Sequence, residues 1–338
     1  MLNVEVLGGV GEYGRNCFYI EVDGQAILLD CGIMKNAQKT PPKLTAAHVE
    51  KLVAVFISHS HIDHVGALPI AERLGYAGPI VMSEMTQCQL KQCYRNTHIF
   101  YEDSIGEWVP INDYLAFKWG YSGHVIGSVW YQIRFIDKMI FYSGDYVVDT
   151  YVLQATLPQD NVIYDIALID SGHVEKHVDN QAVLQQIAQF VQTYPQQPII
   201  FPSSFSGKTL DIATYLFKHT ARPIYVEQQL QALFQQYIAV GQNMKSEKAI
   251  STPFWIPMED VEDGLYFIAE QSDIYYPQAI TVYTGYLKKE DTYPHFFYKT
   301  HPDYEDIVKL SKQICAKQVI YFHSTFPVQL EGYSESRK

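Results

Sequence analysis

Between Phe56 and Pro69 the chain reads FISHSHIDHVGALP, and His59, His61, Asp63 and His64 fall within six positions. Imidazole and carboxylate are the donors that borderline divalent cations prefer, so one turn here can aim several ligands into a small volume. Two cations about 3.5–4 Å apart would need more donors than one turn holds, with a carboxylate between them to relieve their repulsion. His124 in YSGHVIGS, Asp145 in FYSGDY and His323 in VIYFHS can supply them. Each sits at the end of a predicted strand, and glycines beside His124 and Asp145 let the backbone approach a crowded centre.

The elements that must position these groups can be read from hydrophobic pattern. KLVAVFIS is an apolar run that predicts a buried strand, and GALPIAERLG predicts a helix stopped by Gly75. The histidine cluster therefore occupies a strand-to-helix junction. Upstream, CFYIEV and QAILL flank Asp23-Gly24, the pattern of a type I′ hairpin. Downstream come the strand PIVMS, a helix from about Met85 to Asn96, and a strand pair with its turn at Asp137-Lys138.

From IALIDSG onward helices and strands alternate as βαβ units do: NQAVLQQIAQFVQTY, PIIFPSS, GKTLDIATYLFKHT, PIYVE and QQLQALFQQYIAV. The stretch from about Gly241 to Asp263 is polar and proline-interrupted and reads as a connecting loop. AITVYTGYL predicts another strand, DYEDIVKLSKQICA a helix, QVIYFHS a last strand, and EGYSESRK a frayed tail.

The 338 residues, 47% hydrophobic and 18% charged, are those of a globular protein with room for a large core. No apolar run is long enough for a membrane span, and the N-terminus lacks the basic-then-apolar order of an export signal. Five scattered cysteines form no CxxC pair, which argues against a disulfide framework or a thiolate zinc site and for a reducing cytoplasm. The formal charge of −12 speaks against a broad nucleic-acid surface.

DCG at Asp30, HSHIDH, GHVIGS and YSGDY, in this order and spacing, resemble the metallo-β-lactamase fold. LIDSGH at Asp170, FPSSFSGKT, THPDY at His301 and YFHST at His323 are similar to its β-CASP branch, which includes ribonuclease J and the cleavage and polyadenylation nuclease. The resemblance implies an α/β fold, an αββα sandwich carrying an inserted, shortened β-CASP-like domain. The sandwich would comprise residues 1–172 and 291–338, and the insertion 173–290. It assigns His59, His61 and His124 to one metal, Asp63, His64 and His323 to the other, and Asp145 to both. Asp30 would orient a ligand histidine. Asp170 beside His301 would hold that imidazole protonated as the general acid, with Asp63 or Asp145 orienting a metal-activated hydroxide.

The activity implied by this resemblance is that of a ribonuclease acting on single-stranded RNA with two divalent cations, zinc or alternatively manganese; cysteine usage points to the cytoplasm, and a homodimer is one candidate assembly, the oligomeric state being left open by the sequence. RNA-cutting members of the branch carry a histidine at the last motif, here His323. The rival readings are a small ester or lactam hydrolase on the same fold and a non-catalytic RNA-binding or scaffold protein. SFSGKT is not a P-loop, because Pro202 stands where the first glycine belongs. Ser206, Lys208 and Thr209 at that helix start are candidates to hold a substrate phosphate.

Overall fold

The computed structural model describes residues 1–90, 92–240, 245, 248, 250–258, 263–272, 276–286 and 293–328. The first sheet runs in chain order through β1 (Leu2–Gly8), β2 (Cys17–Val22), β3 (Gln25–Leu29), β4 (Leu52–Phe56), β5 (Ile80–Ser83) and β6 (Thr97–Phe100). Its first three strands pair antiparallel, and the pairs from β3 to β6 are parallel. The helices α1 (Ala46–Lys51), α2 (Ile62–Val65), α3 (Leu68–Arg73) and α4 (Glu84–Gln89) connect the parallel part.

A second sheet begins with β7 (Val109–Asn112), β8 (Leu115–Tyr121), β9 (Val129–Phe135), β10 (Lys138–Tyr142) and β11 (Ile166–Asp170). The chain then builds a third, all-parallel sheet from β12 (Ile199–Ser203), β13 (Ile224–Val226), β14 (Trp255–Pro257), β15 (Leu265–Ala269) and β16 (Ile280–Thr281). Helices α5 (Asn180–Thr193), α6 (Gly207–His219) and α7 (Gln228–Ala239) pack on it. After α8 (Tyr304–Gln313), β17 (Val319–Phe322) returns to the second sheet beside β11.

Alternation along each strand assigns its faces. Phe18, Ile20, Ile27, Leu29 and Phe56 of the first sheet meet Phe117, Tyr131, Ile133 and Tyr142 of the second. Tyr19, Leu28 and Val55 point the other way, onto Val49, Val65 and Leu68 of the outer helices. On the far side Phe141 and Ile169 pack on Leu310 and Ile314. Two sheets between helices give the αββα arrangement, so the α/β class holds. Both faces of the strands are covered, which is why they read as nearly continuous apolar runs.

Three sequence expectations need correction. The helix expected to reach Asn96 stops at Gln89, because Leu90 turns extended and Thr97–Phe100 is drawn into parallel pairing with β5. The strand expected over AITVYTGYL contracts to Ile280–Thr281 at the sheet edge. The stretch expected as loop contains β14, an edge strand where Pro257 costs no ladder hydrogen bond on its open side. The predicted frayed tail lies outside the described residues.

Gly32 locks the histidine turn to the first sheet. A Cβ there would lie 1.7 Å from the Asp63 carbonyl oxygen. That closeness lets Cys31 N–H donate to His64 O at 2.7 Å and Ile33 N–H donate to Ile62 O at 3.1 Å. Gly32→Ala must push the backbone of the turn away, so it is expected to destabilise the fold by about 1–3 kcal/mol. Urea denaturation of the metal-free protein measures this, and an unchanged midpoint would contradict the close packing described.

Candidate metal centre

The turn after β4 places His59 at its start, makes His61 the N-cap of α2, and carries Asp63 and His64 within that helix. His124 and Asp145 follow the ends of β8 and β10, and His323 follows β17 with a left-handed backbone, φ 64°. All of these except His61 are buried. The donor atoms of His59, His61, His124 and Asp145 lie within 4.8 Å of one another, and so do those of Asp63, His64 and His323. Asp145 stands between the two groups. Its Oδ2 is 3.7 Å from His59 Nε2, 3.5 Å from His124 Nε2 and 3.2 Å from His64 Nε2, while Oδ1 is 3.7 Å from His323 Nδ1.

On four of the five rings the outer nitrogen is already occupied. His64 Nδ1 lies 2.5 Å from Asp30 Oδ2, His124 Nδ1 2.8 Å from Thr300 O, and His61 Nε2 3.0 Å from Phe205 O. His59 Nδ1 is 3.0 Å from Ser58 Oγ, whose own proton goes to Asp30 at 2.7 Å. Carboxylates and carbonyls can only accept, so the protons sit on the outer nitrogens and the inner ones turn bare lone pairs inward. His61 Nδ1 then faces His59 Nε2 at 3.0 Å and His124 Nε2 at 3.2 Å. Lone pairs that converge so closely repel unless a cation lies between them.

Electrostatics agree for three of these rings, whereas at His64 burial is outweighed by Asp145 and Asp30, which raise its pKa well above the usual imidazole range while no cation is bound. Burial pushes His59 and His124 well below the usual imidazole range and His61 down to about 4, so these rings are neutral donors. Among the described residues Asp145 Oδ1 is buried without a hydrogen-bond partner, as a group that ligates a cation would be. The residues present therefore fit a divalent metal. Lys35 now neutralises Asp63, its Nζ 2.9 Å from Oδ1.

Asp30 is itself wholly buried, with φ 54°. It accepts from Ser58 N–H at 2.7 Å and from the Tyr142 hydroxyl, besides holding His64. At the rim, His301 Nδ1 lies 2.9 Å from Asp170 Oδ2. Asp170 is fixed by amides of Tyr146 at 3.0 Å and Gly172 at 2.9 Å. Burial opposes a charged His301, but Asp170 and then Asp145 outweigh it and raise its pKa. A Cβ at Gly172 would meet His301 Cγ at 2.6 Å, so glycine there makes room for the ring.

The three phosphate candidates are not alike. Thr209 Oγ1 donates to Ser204 O at 2.8 Å, and Ser206 lies buried beside the Ser204 hydroxyl at 3.2 Å, so both are engaged within their own loop. Lys208 instead lines a cavity. Sequence reading missed Asn16, whose Nδ2 lies 2.9 Å from His64 Nε2 and 3.1 Å from His323 Nδ1. It also missed Tyr142 and the carbonyls of Phe205 and Thr300. Asn16 stands in GRNC with no patterned neighbour to mark it, and a main-chain carbonyl carries no residue signature.

Residues 10–84 match the metallo-beta-lactamase superfamily. A protein of unknown function from Enterococcus faecalis V583 superposes with a TM-score of 0.69 over 99% of this chain and 97% of its own, at 15% identity. Residues 10–84 therefore carry the likeness to the metallo-β-lactamase superfamily, and the chain as a whole resembles its β-CASP branch. That likeness agrees with the two-sheet sandwich and with the cluster of His and Asp donors described above. Among curated relatives, Integrator complex subunit 11 of Danio rerio is 33% identical over 176 residues, 43% of this chain and 29% of that protein. Cleavage and polyadenylation specificity factor subunit 3-I of Arabidopsis thaliana is 25% identical over 309 residues, 78% of this chain and 44% of that protein. Transcription termination factor FttA of Methanocaldococcus jannaschii is 37% identical over 89 residues, 25% of this chain and 14% of that protein. The matches span less than half the length of these relatives.

Proposed function

We propose that this protein is a metal-dependent phosphodiesterase that cuts RNA, holding two divalent cations. The observation that carries the reading is the set of inward lone pairs beside a carboxylate-held imidazole: His59, His61 and His124 on one side of Asp145, Asp63, His64 and His323 on the other, and Asp170–His301 at the rim. Zinc suits the imidazole-rich set. When bound, the cations supply Lewis acidity to water and to the phosphoryl oxygens.

The chain's own residues do the rest. Asp30, Phe205 O and Thr300 O fix the rings so that donor atoms need no reorganisation. Asp145 and Asp63 provide the acceptor oxygens that orient an attacking water. Asp170 keeps a proton on His301, and the imidazolium gives it to the departing ribose oxygen. The chain matches a relative named as a cleavage and polyadenylation specificity factor subunit, and a histidine follows β17 where the RNA-cutting pattern has one.

His301→Gln tests the acid. Metal content should stay full, and cleavage of a ribonucleotide diester should fall by about two orders of magnitude or more. Hydrolysis of bis(p-nitrophenyl) phosphate, whose leaving group needs no proton, should fall far less. Equal losses on both substrates would remove His301 from that role. Turnover of a p-nitrophenyl ester or a lactam, with no diester cleaved, would instead favour the small-substrate hydrolase.

A further inference from the structure

Beside His301 a cavity of about 760 Å³ opens between the carboxyl ends of β12, β15 and β16 and the segment 293–300. That volume is the size of a small-ligand pocket. Its wall carries Tyr276, Tyr283, Tyr286, Tyr293 and Phe297. Lys208 is the one lysine or arginine among its described lining residues. No ion pair holds Lys208 among the described residues; burial lowers its pKa, and the Glu270 carboxylate, also in the lining, only partly opposes that.

His173 joins this cavity to the metal centre. It is only 5% exposed, its Nδ1 has no hydrogen-bond partner among the described residues, and its ring centroid lies 5.1 Å from that of His301. A donor or acceptor so buried and unmet is costly unless something in the cavity meets it. Aromatic faces accept nucleobases of any identity, and a lone ammonium matches a lone phosphate. A long RNA asks for more: many phosphates need many cations, whereas the chain carries a net charge of −12 and this cavity offers one ammonium.

We propose, resting on the phosphodiesterase reading, that this cavity seats one nucleotide of a dinucleotide or similarly short oligonucleotide, with its base on the aromatic wall and its phosphate on Lys208. His173 lies between that nucleotide and the scissile phosphate, which His301 faces. The protein then finishes off short fragments, and long single-stranded RNA is its poorer substrate.

Two measurements on the metal-loaded full chain decide this. The first compares a 5′-phosphorylated diribonucleotide with a long single-stranded RNA; kcat/KM per molecule should be at least about tenfold higher for the dinucleotide. The second titrates adenosine 5′-monophosphate by calorimetry. Lys208→Met and, separately, Tyr283→Ala should each weaken its binding about tenfold, with metal content unchanged as the check on folding. A preference for long RNA, or nucleotide binding unchanged in both variants, overturns the proposal while leaving the phosphodiesterase reading intact. If no diester of any length is cut, that reading fails instead, and the titration still decides whether the cavity takes a nucleotide.

Discussion

Asp145→Asn is expected to abolish tight binding of at least one cation and to lower diester hydrolysis by about three orders of magnitude or more, since several kcal/mol of charge stabilisation go with it. Among the described residues Asp145 is the one carboxylate whose oxygens reach toward both donor groups, with Oδ2 3.5 Å from His124 Nε2 and Oδ1 3.7 Å from His323 Nδ1. A carboxamide keeps the shape but removes the negative charge and turns one oxygen into an N–H donor aimed at those nitrogens. Elemental analysis after gel filtration, together with bis(p-nitrophenyl) phosphate turnover, measures both effects. Full occupancy by two cations in Asp145→Asn would show that Asp145 is not shared between them.

Asp30→Asn is expected to weaken metal binding about 10–100-fold although Asp30 touches no cation. Asparagine tolerates the left-handed backbone found at this position, so the main chain need not move. What changes is hydrogen bonding. Asp30 accepts from Ser58 N–H, Ser58 Oγ–H and the Tyr142 hydroxyl and holds His64 Nδ1, all in a fully buried setting. A carboxamide has one oxygen for that work, and its N–H₂ must face a donor. The unmet groups should cost about 1–3 kcal/mol of stability in the metal-free protein. Competition against a chromophoric chelator gives the affinity, and urea unfolding gives the stability. An affinity equal to wild type would mean that His64 keeps its orientation without Asp30.

Much of the sandwich was legible because its strands are covered on both faces and so spell apolar runs such as AILL and LVAVF. The histidine turn was legible for the opposite reason: nothing in ordinary packing calls for His59, His61, Asp63 and His64 together. Single residues far along the chain, His124, Asp145, His301 and His323, gained meaning only as completions of that set, and the fold brings them to it. Elements decided by long-range pairing were not legible. Thr97–Phe100 has no stronger strand pattern than the helix predicted to precede it, and becomes a strand because β5 leaves an edge for it to pair with. Asn16 escaped notice since a buried amide between two imidazoles looks, in sequence, like any asparagine in a turn.

The two carbonyls described as orienting the inward-facing rings are borrowed. Phe205 O belongs to the junction between β12 and α6, in the third sheet's unit, and Thr300 O to the segment leading away from it. Gly207 N–H of the same junction donates back to His124 O at 3.0 Å. The third sheet is consequently not a detachable attachment to a self-sufficient metal domain. Trimming it away would leave His61 and His124 free to spin and to exchange tautomers, so the two-sheet half alone would be a pliable chelator, and the rigidity of the centre is a property held in common by both parts of the chain.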